Sequence, residues 1–323
     1  MVLMAGTLPT VVVLTAPDEG WPPGLESLES SAQLLLADSP EALQSSLPEA
    51  DILMVTDFRT TWLRDAWHRA QRLRWIHATS AGVDAILFPE LNESDIPVTN
   101  ARGIFDAAIA EYVLGLMLAF AKDLPGTLEH QRKHRWRHRD SERIAGKRVL
   151  VVGAGSIGRR IGNLARASGM HVEGIASRKR EGDDDFQAIH GADSLYDLLP
   201  DADYVVIAAP LNRSTEGLFG SEAFSRMQPG ARLINIGRGP IVQTGALVEA
   251  LQTGRIAGAA LDVFEDEPLR EDHPLWGMPQ VIVSPHMAGD FIGWREALSE
   301  QFVENFRRWC RGAPLNNLVK KSP

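Results

Sequence analysis

Short apolar runs alternate with stretches of helical periodicity along the first hundred residues. Runs rich in Val, Ile and Leu predict buried strands, whereas apolar positions three and four residues apart predict helices. Strands that alternate with helices are typical of a parallel, doubly wound sheet. The predicted strands are residues 11–14, 33–37, 51–56, 73–77 and 96–99, and the predicted helices are residues 41–47 and 61–71.

The same alternation returns in the second half of the chain, which predicts a second sheet of the same class. A helix at residues 105–122 is apolar around most of its surface, so we expect it to be buried, in a core or between subunits. The last helix, residues 294–311, is amphipathic and suggests that the chain crosses back to the first domain. The predicted strands are residues 147–152, 170–176, 203–208, 231–236, 256–262 and 280–284, with helices at 221–227 and 244–253.

A glycine-rich turn directly follows the strand at residues 147–152. Gly153, Gly155 and Gly158 have the spacing G-x-G-x-x-G, and a helical pattern begins at once. This order is typical of dinucleotide binding, because the glycines allow a tight turn, close approach to a pyrophosphate and close packing of helix on strand. The helix amides and dipole then bind the phosphates; the alternative is a purely structural turn. The predicted contacts are Gly153, Gly155, Ser156, Ile157 and Gly158.

The end of the next strand predicts which dinucleotide is bound. An NAD site has an acidic residue there that bonds the ribose 2′-hydroxyl, but here Ser177, Arg178 and Lys179 follow the strand. A carboxylate repels a 2′-phosphate, whereas a guanidinium binds it through paired hydrogen bonds. We therefore predict NADP(H) in preference to NAD(H), with Ser177 and Arg178 closest. The alternative is a solvated basic turn balanced by Glu181 and residues 183–185.

Three polar residues follow three successive strands: Arg238, Glu267 and His286. Carboxyl ends of parallel strands share one edge of a sheet, where the nicotinamide end of the dinucleotide is expected. A histidine can donate a proton to a 2-keto acid, a carboxylate can orient its ring, and an arginine can bind the substrate carboxylate. Singly, each has a plainer explanation, namely a surface ion pair, one of several loop acids, or a helix cap. Together they favour catalysis.

A loop of small residues follows the fourth strand of the first domain. Successive backbone amides within residues 79–84 could bind a carboxylate. An ordinary strand-to-helix turn is an equally good interpretation from these residues alone.

Composition narrows the class of protein. The chain has 323 residues and 44% hydrophobic content, enough for two domains with their own cores. A net charge of -9 argues against nucleic-acid and membrane binding, so we interpret the basic run at 130–139 as a solvated arm with Trp136 packed on the protein. No apolar run reaches a membrane span of roughly 18 residues, and the N-terminus lacks the basic region of a signal peptide. The single Cys310 fits a reducing cytoplasm and leaves no cysteine metal cluster.

The chain resembles the D-isomer-specific 2-hydroxyacid dehydrogenase family over almost its whole length. The resemblance rests on segments 153–158, 208–215, 235–240, 262–268 and 284–289. It implies that Arg238 binds the substrate carboxylate and carbonyl, His286 is the acid/base and Glu267 its partner. It also implies that the amides of 81–83 hold the substrate carboxylate. The further cofactor contacts that it implies are Pro210, Thr215, Ile236, Gly237, Arg238, Asp262 at the nicotinamide carboxamide, His286 and Gly289.

The family resemblance also implies the domain organisation. A discontinuous, flavodoxin-like substrate domain would comprise residues 1–101 and 291–323, and a Rossmann domain for NAD(P) residues 102–290. A homodimer would form through residues 105–145, and a cleft would close on substrate. Two departures matter: Ser177 replaces the Asp of NAD-dependent members, and Glu267, where formate dehydrogenases have glutamine, disfavours that relationship.

Together these observations predict an NADPH-dependent reductase of small 2-keto acids, of the glyoxylate/hydroxypyruvate type, that forms a D-2-hydroxy acid with His286 as proton donor. The alternative is an NADP(H)-sensing, corepressor-like binding protein without turnover. We expect loops near residues 55–60, 80–84, 136 and 291–294 to contact the substrate side chain, with Trp136 and Trp294 limiting its size.

Overall fold

The computed structural model describes residues 8–56 and 60–321. The chain divides into two compact units: unit 1 is formed by the residues up to Phe105 together with those from Phe291 onward, and unit 2 is Asp106–Asp290. The division falls four residues later than the predicted one at 101/102. The reason lies at Arg102, whose carbonyl accepts hydrogen bonds from Gln301 and Asn317 of unit 1.

Both units alternate strands with helices. The strands are β1 Thr10–Leu14, β2 Gln33–Ala37, β3 Ile52–Val55, β4 Trp75–Ala78, β5 Val98–Thr99, β6 Arg148–Val152, β7 His171–Ile175, β8 Arg180–Glu181, β9 Ala188–His190, β10 Tyr204–Ile207, β11 Arg232–Asn235, β12 Gly258–Leu261 and β13 Val281–Val283. The helices are α1 Pro40–Ser46, α2 Thr60–Ala66, α3 Pro89–Glu93, α4 Asp106–Ala121, α5 Leu124–Arg132, α6 Ser156–Ala167, α7 Leu195–Leu198, α8 Ser221–Arg226, α9 Thr244–Gln252 and α10 Trp294–Cys310.

Unit 1 is built on a parallel sheet in the strand order β2-β1-β3-β4-β5. Every residue of β1 and β3 is buried, because helices cover both faces of such a sheet, and the strands therefore have continuous rather than alternating apolar residues. The order is that of flavodoxin-like folds, in which ligands bind outside the carboxyl ends of the first and third strands. On one face, Phe302 and Phe306 of α10 pack with Val11 and Val13.

Unit 2 contains a larger sheet in the order β13-β12-β11-β10-β6-β7-β9-β8. Neighbouring strands are parallel except β8 and β9, which are antiparallel. Counted from β6, the strands have the Rossmann order, which reverses between β6 and β10 and places the ligand crevice at their carboxyl ends. The predicted fold class, a Rossmann unit and a flavodoxin-like unit with doubly wound parallel sheets, is confirmed.

All predicted strands are present, with ends that differ by up to two residues. The predicted helix at 61–71 is wrong beyond Ala66, where a 3₁₀ turn at Trp67–Arg69 replaces the last turns. Elements without an extended apolar pattern were not predicted: β8, β9, α3, α5 and α7. Residues 57–59 of the predicted substrate loop at 55–60 lie outside the described residues.

The long helix α4 is buried on one face only. Ile109, Val113 and Met117 are buried, and the helix packs against α6, whereas Glu111 and Gly115 on other faces are exposed. The helix thus has more apolar surface than the described residues of this chain bury. Among the described residues, no helix has the length and apolar character needed to cross a membrane.

The basic run at 130–139 begins in α5 and continues without regular structure after Arg132. Arg139, the last residue of the basic run, forms a salt bridge with Asp123 at 2.6 Å, which links the end of the run to the residue that precedes α5. Trp136 is fully exposed among the described residues, so the predicted packing is not found within this part of the chain, and packing at a subunit edge stays a prediction. Leu124 and Leu128 on the same segment are also exposed.

Candidate active site

The glycine turn after β6 has the geometry that its sequence predicts. Gly153 has φ of 110°, and a Cβ there would lie 2.5 Å from the amide nitrogen of Ala209. A Cβ on Gly158 would lie 1.9 Å from the carbonyl oxygen of Gly153. Both glycines are therefore required by close backbone approach, which brings α6 against β6 and the loop after β10.

Gly155 differs from its two neighbours because a Cβ there would meet no atom within 4 Å. It lies at the N-terminal end of α6, where, among the described residues, no side chain caps the helix. Open space in front of uncapped helix amides fits a pyrophosphate. Gly155, Ser156 and Ile157 are thus the residues that would hold the phosphates of a dinucleotide.

The loop after β10 lies beside this turn. Ala208 donates its amide to Val152 of β6, and the Thr215 hydroxyl donates to the Pro210 carbonyl at 2.7 Å. The Thr215 oxygen also accepts the Asn212 amide at 2.9 Å. These bonds give the loop a fixed shape at the reversal of strand order, where a dinucleotide is expected.

The basic residues after β7 are exposed, as a phosphate contact requires. Ser177, Arg178 and Lys179 lie between β7 and β8 with exposed side chains. The predicted alternative was that nearby acids neutralise them. Instead Asp183 and Asp185 pair with Arg159 of α6, at 2.7 and 3.0 Å.

Arg180 was not assigned a role from the sequence. Its guanidinium donates to the carbonyl of Ala154 at 3.3 Å, inside the glycine turn. The position in the basic run could have signalled this residue, but the contact with Ala154 could only be found in three dimensions. Within the described residues, Arg178 and Lys179 form no ion pair, and Arg180 is the cation that contacts the turn.

Arg238 lies just after β11 in a segment held by its neighbours. Asn235 accepts the amide of Gly237 at 3.1 Å and donates to the carbonyl of Arg238 at 3.1 Å. A Cβ on Gly239 would lie 1.8 Å from the carbonyl of Phe264. The segment that carries Arg238 therefore packs closely against the segment after β12. Ile236 and Gly237, which precede Arg238, are buried.

Glu267 and His286 form a hydrogen-bonded pair. Nδ1 of His286 lies 2.8 Å from Oε2 of Glu267, and Oε1 of Glu267 accepts the amide of Phe264 at 2.9 Å. Because an ionised carboxylate only accepts, Nδ1 carries the proton. Nε2 then faces away from Glu267, on a side chain that is 47% exposed, so it can meet a ligand.

The environment favours a charged pair. The hydrogen bond to Glu267 raises the pKa of His286, although burial and the Arg238 charge oppose the shift. Burial by itself raises the pKa of Glu267, but bonds from His286 and the Phe264 amide, with the charges of His286 and Arg238, lower it overall. Arg238, Glu267 and His286 follow β11, β12 and β13, which are neighbours in the sheet, so unit 2 places the three predicted catalytic residues at one sheet edge.

Asp262, which is predicted to contact the nicotinamide, is bonded to the turn that follows β13. It is 3% exposed, and its Oδ1 accepts the Ser284 hydroxyl at 2.7 Å and the Met287 amide at 2.9 Å. Its Oδ2 accepts the Ala288 amide at 2.9 Å. Asp262 therefore shapes the turn that carries His286 and leads to Gly289, and Oδ2 keeps capacity for a further donor.

The predicted substrate loop lies in unit 1. The carbonyls of Ser80, Ala81 and Gly82 accept hydrogen bonds from the Ala101 amide, Asn100 Nδ2 and Ser80 Oγ, respectively. In the described part of the chain, the amides of residues 81–83 have no acceptor. The loop thus has its carbonyls satisfied and its amides available, which suits a carboxylate. Trp294, in the same unit, begins α10 and is partly buried.

Among residues 8–56 and 60–321, no group of three or more His, Cys, Asp or Glu side chains is arranged to hold a metal ion.

Comparison with known proteins agrees with this geometry. Residues 114–288 match the sequence profile of the D-isomer specific 2-hydroxyacid dehydrogenase, NAD binding domain. A glyoxylate reductase of Aeropyrum pernix is 36% identical over 293 residues, covering 87% of this chain and 86% of that protein.

Two solved structures are similar over nearly the whole chain. A D-isomer specific 2-hydroxyacid dehydrogenase from Xanthobacter autotrophicus Py2, in complex with NADPH and MES, has a TM-score of 0.81 and 32% identity, covering 97% of this chain and 98% of that one. An NADPH-dependent glyoxylate/hydroxypyruvate reductase from Sinorhizobium meliloti, in complex with NADP and sulfate, has a TM-score of 0.84 and 26% identity, covering 98% and 99%.

A Rossmann unit with a glycine turn and a histidine–carboxylate pair defines an NAD(P)-dependent dehydrogenase. The chain belongs to the D-isomer specific 2-hydroxyacid dehydrogenase family. It is accordingly an oxidoreductase that uses a nicotinamide cofactor and acts on small 2-hydroxy or 2-keto acids.

Proposed function

We propose that the protein reduces a small 2-keto acid of the glyoxylate/hydroxypyruvate type to the D-2-hydroxy acid with NADPH. The observation that carries this proposal is the His286–Glu267 pair, with Nδ1 bonded at 2.8 Å and Nε2 left for substrate. Relatives named for glyoxylate reduction and for NADP binding support the substrate and cofactor class.

In the proposed mechanism His286 supplies the proton. Glu267 raises the pKa of His286, so the imidazolium is populated near neutral pH and Nε2–H can protonate the substrate carbonyl oxygen. The nicotinamide cofactor supplies the hydride to the carbonyl carbon. Arg238 binds the substrate carboxylate and polarises its carbonyl through charge-assisted hydrogen bonds. After the step, His286 is neutral and still oriented by Glu267.

The amides of Ala81, Gly82 and Val83 are proposed to bind the substrate carboxylate. Their carbonyls are held by hydrogen bonds within unit 1, which pre-organises the amides and reduces the entropy lost on binding.

The proposed cofactor contacts follow the strand ends of unit 2. Ser177 and Arg178 contact the 2′-phosphate most closely, with Lys179 beside them, and two of the nearby acids, Asp183 and Asp185, pair with Arg159 rather than with this basic run. Remaining contacts are proposed at the glycine turn and at the nicotinamide end. These residues are Gly153, Gly155, Ser156, Ile157, Gly158, Pro210, Thr215, Ile236, Gly237, Arg238, Asp262, His286 and Gly289.

A homodimer through residues 105–145 is also proposed. The exposed side chains of Leu124, Leu128 and Trp136 lie in this segment, and exposed apolar groups of this kind favour a protein interface. Light scattering at micromolar concentration tests it: a mass near one chain would contradict the proposal. A cytoplasmic location stays a prediction from the sequence.

The deciding experiment measures NADPH and NADH oxidation with glyoxylate, hydroxypyruvate, pyruvate and bulkier 2-keto acids. We expect turnover with a small keto acid and a clear NADPH preference. In His286→Ala, turnover should fall by about 10²–10⁴-fold while NADPH binding remains. Equal catalytic efficiency with NADH and NADPH would contradict the proposed NADPH preference. NADPH binding without turnover of any of these acids would favour the alternative function, an NADP(H)-sensing binding protein.

A further inference from the structure

A cavity of about 50 Å³ opens in unit 1 at the carboxyl edge of its sheet. Thr15, Thr56 and Thr79, which directly follow β1, β3 and β4, line it together with Trp21 and Ser299. The ends of β1 and β3 flank the point where the strand order reverses, which is where flavodoxin-like folds bind ligands. At 10–15 Å³ for each ordered water, the cavity has room for about four water-sized groups.

Ser299 is the unusual group in this wall. It is 1% exposed, and its Oγ has no hydrogen-bond partner among the described residues. A serine within a helix commonly donates to the carbonyl four residues earlier, as Ser46 of α1 does to Ala42 at 2.8 Å. Ser299 makes no such bond, so the cavity wall contains a buried hydroxyl whose hydrogen-bonding capacity is unused within the described residues.

The threonines determine which ligand group matches. Thr56 Oγ1 donates to the Leu14 carbonyl at 3.1 Å, and Thr79 Oγ1 donates to the Val55 carbonyl at 3.2 Å. Each has used its one proton, so each can only accept from a ligand. Ser299 can donate as well as accept, and the two charged residues of the wall, Glu19 and Arg295, pair with each other at 3.6 Å.

A hydroxyl group satisfies this set, because it donates to a threonine oxygen and accepts from Ser299. A methyl group leaves Ser299 unpaired, and a carboxylate meets the threonine acceptors and no unpaired cation, because Arg295 is paired with Glu19. The chemistry of the wall thus selects a neutral group that both donates and accepts.

We propose that this cavity receives the hydroxyl on C3 of the substrate, and that Ser299 is a specificity residue for 2-keto acids hydroxylated at C3. The inference rests on the proposed reductase function. Thr79 lies two residues before Ala81, so one loop brings the cavity wall and the proposed carboxylate-binding amides to the same edge of unit 1. Hydroxypyruvate is the smallest substrate of this class, pyruvate is its partner without the hydroxyl, and glyoxylate has no C3.

The test compares kcat/KM for glyoxylate, hydroxypyruvate and pyruvate in the wild type, Ser299→Ala and Ser46→Ala. Wild type should prefer hydroxypyruvate to pyruvate. Ser299→Ala should lower hydroxypyruvate efficiency about tenfold, the size of one hydrogen bond, and leave glyoxylate unchanged within about twofold, because glyoxylate does not reach the cavity. Ser46→Ala, a helical serine of the same unit outside the cavity, should change none of the three rates.

An unchanged hydroxypyruvate-to-pyruvate ratio in Ser299→Ala, with glyoxylate turnover intact, would overturn the inference and leave the proposed function standing. A larger variant, Ser299→Leu, should fill the cavity and remove hydroxypyruvate activity while keeping glyoxylate activity. If it fails to fold, the Ser299→Ala ratio still decides.

Absence of turnover on every keto acid would instead defeat the proposed function. The cavity is then tested by tryptophan fluorescence, since Trp21 and Trp294 line it, during titration with D-glycerate and D-lactate. Tighter binding of D-glycerate that Ser299→Ala abolishes supports the cavity assignment, and equal binding of the two acids overturns it.

Discussion

Asp262 holds the backbone of His286 in place: its carbonyl accepts the His286 amide at 2.9 Å. The carboxylate of the same residue accepts the amides of Met287 and Ala288. His286 itself has φ of 53°, a left-handed conformation that is unusual for a residue other than glycine. Hydrogen bonds to the amide of His286 and to the two amides that follow it therefore maintain a backbone conformation that costs free energy. Such strained conformations are common at functional sites.

The first prediction concerns Asp262→Asn. The asparagine amide replaces one acceptor oxygen with a donor, so at least one hydrogen bond to the His286 turn is lost. Turnover should fall about tenfold or more, and the free energy of unfolding should decrease by about 1–3 kcal/mol. Urea denaturation and steady-state rates measure both effects. Asp266→Asn, at an exposed acid of the same loop, is the control and should change neither. Normal turnover in Asp262→Asn would show that the turn does not depend on the carboxylate.

The second prediction concerns the pH profile of Glu267→Gln. The bond to Glu267 raises the pKa of His286, so removing the carboxylate charge should lower it. Reduction requires protonated His286, and the alkaline limb of the kcat/KM profile should move to lower pH, with at least about tenfold loss at pH 7.5. Glu271→Gln, at an exposed glutamate, should reproduce the wild-type profile. An alkaline limb that stays in place would separate Glu267 from the titration of His286.

The third prediction separates two arginines in the basic run. Arg178→Ala should lower kcat/KM for NADPH about 10- to 100-fold, the size of a charge-assisted phosphate contact, and leave NADH nearly unchanged. Arg180 donates to the Ala154 carbonyl in the glycine turn, so Arg180→Ala should weaken both cofactors alike. Steady-state kinetics with each cofactor distinguish the variants. Equal losses for NADPH and NADH in Arg178→Ala would contradict its assignment to the 2′-phosphate.

The sequence predicts a structural feature well when a short segment of the chain determines that feature. Arg238, Glu267 and His286 were found because carboxyl ends of neighbouring parallel strands must share an edge, and β11, β12 and β13 are neighbours. The glycine turn was found because only a residue without Cβ tolerates those contacts. Both features follow from short segments and one topological rule.

Other features depend on contacts that no short segment encodes. The interaction of Asp262 with residues 284–288 depends on how a later turn folds back, and the available hydroxyl of Ser299 depends on three strand ends meeting one helix. The strands β8 and β9 have two and three residues, too few for a recognisable periodicity. Trp136 was expected to pack, but no side chain in residues 8–56 and 60–321 covers it.

The fourth prediction concerns the buried His77. Its ring is fully buried, and burial lowers its pKa from 6.5 to about 3. The Thr99 oxygen accepts from Trp75 Nε1 at 2.9 Å and lies 2.8 Å from His77 Nδ1. Nε2 of His77 is buried and has no hydrogen-bond partner among the described residues. A doubly protonated ring would leave a charged donor unpaired there, so His77 is held neutral.

This neutrality links stability to pH with a definite sign. The unfolded chain binds a proton at His77 below about pH 6.5, whereas the folded protein does so only near pH 3. Stability is thus fully present above pH 6.5 and decreases as pH falls, by about 2 kcal/mol at pH 5. Urea unfolding of wild type and His77→Phe between pH 7.5 and 4.5 tests this. The variant should lose less stability over that range, and parallel curves would refute the linkage.

The last prediction uses two glycines of one turn as a matched pair. A Cβ on Gly158 would lie 1.9 Å from the Gly153 carbonyl, whereas a Cβ on Gly155 would meet nothing within 4 Å. Gly155 also has φ of -82°, which alanine adopts without strain. Gly158→Ala should therefore destabilise unit 2, by about 1–3 kcal/mol as in other overpacked sites. Gly155→Ala should keep wild-type stability but weaken NADPH binding, because its methyl group enters the space proposed for the pyrophosphate.

Thermal unfolding and NADPH fluorescence titration measure the two effects. Normal NADPH affinity in a stable Gly155→Ala protein would mean that the pyrophosphate does not approach this backbone.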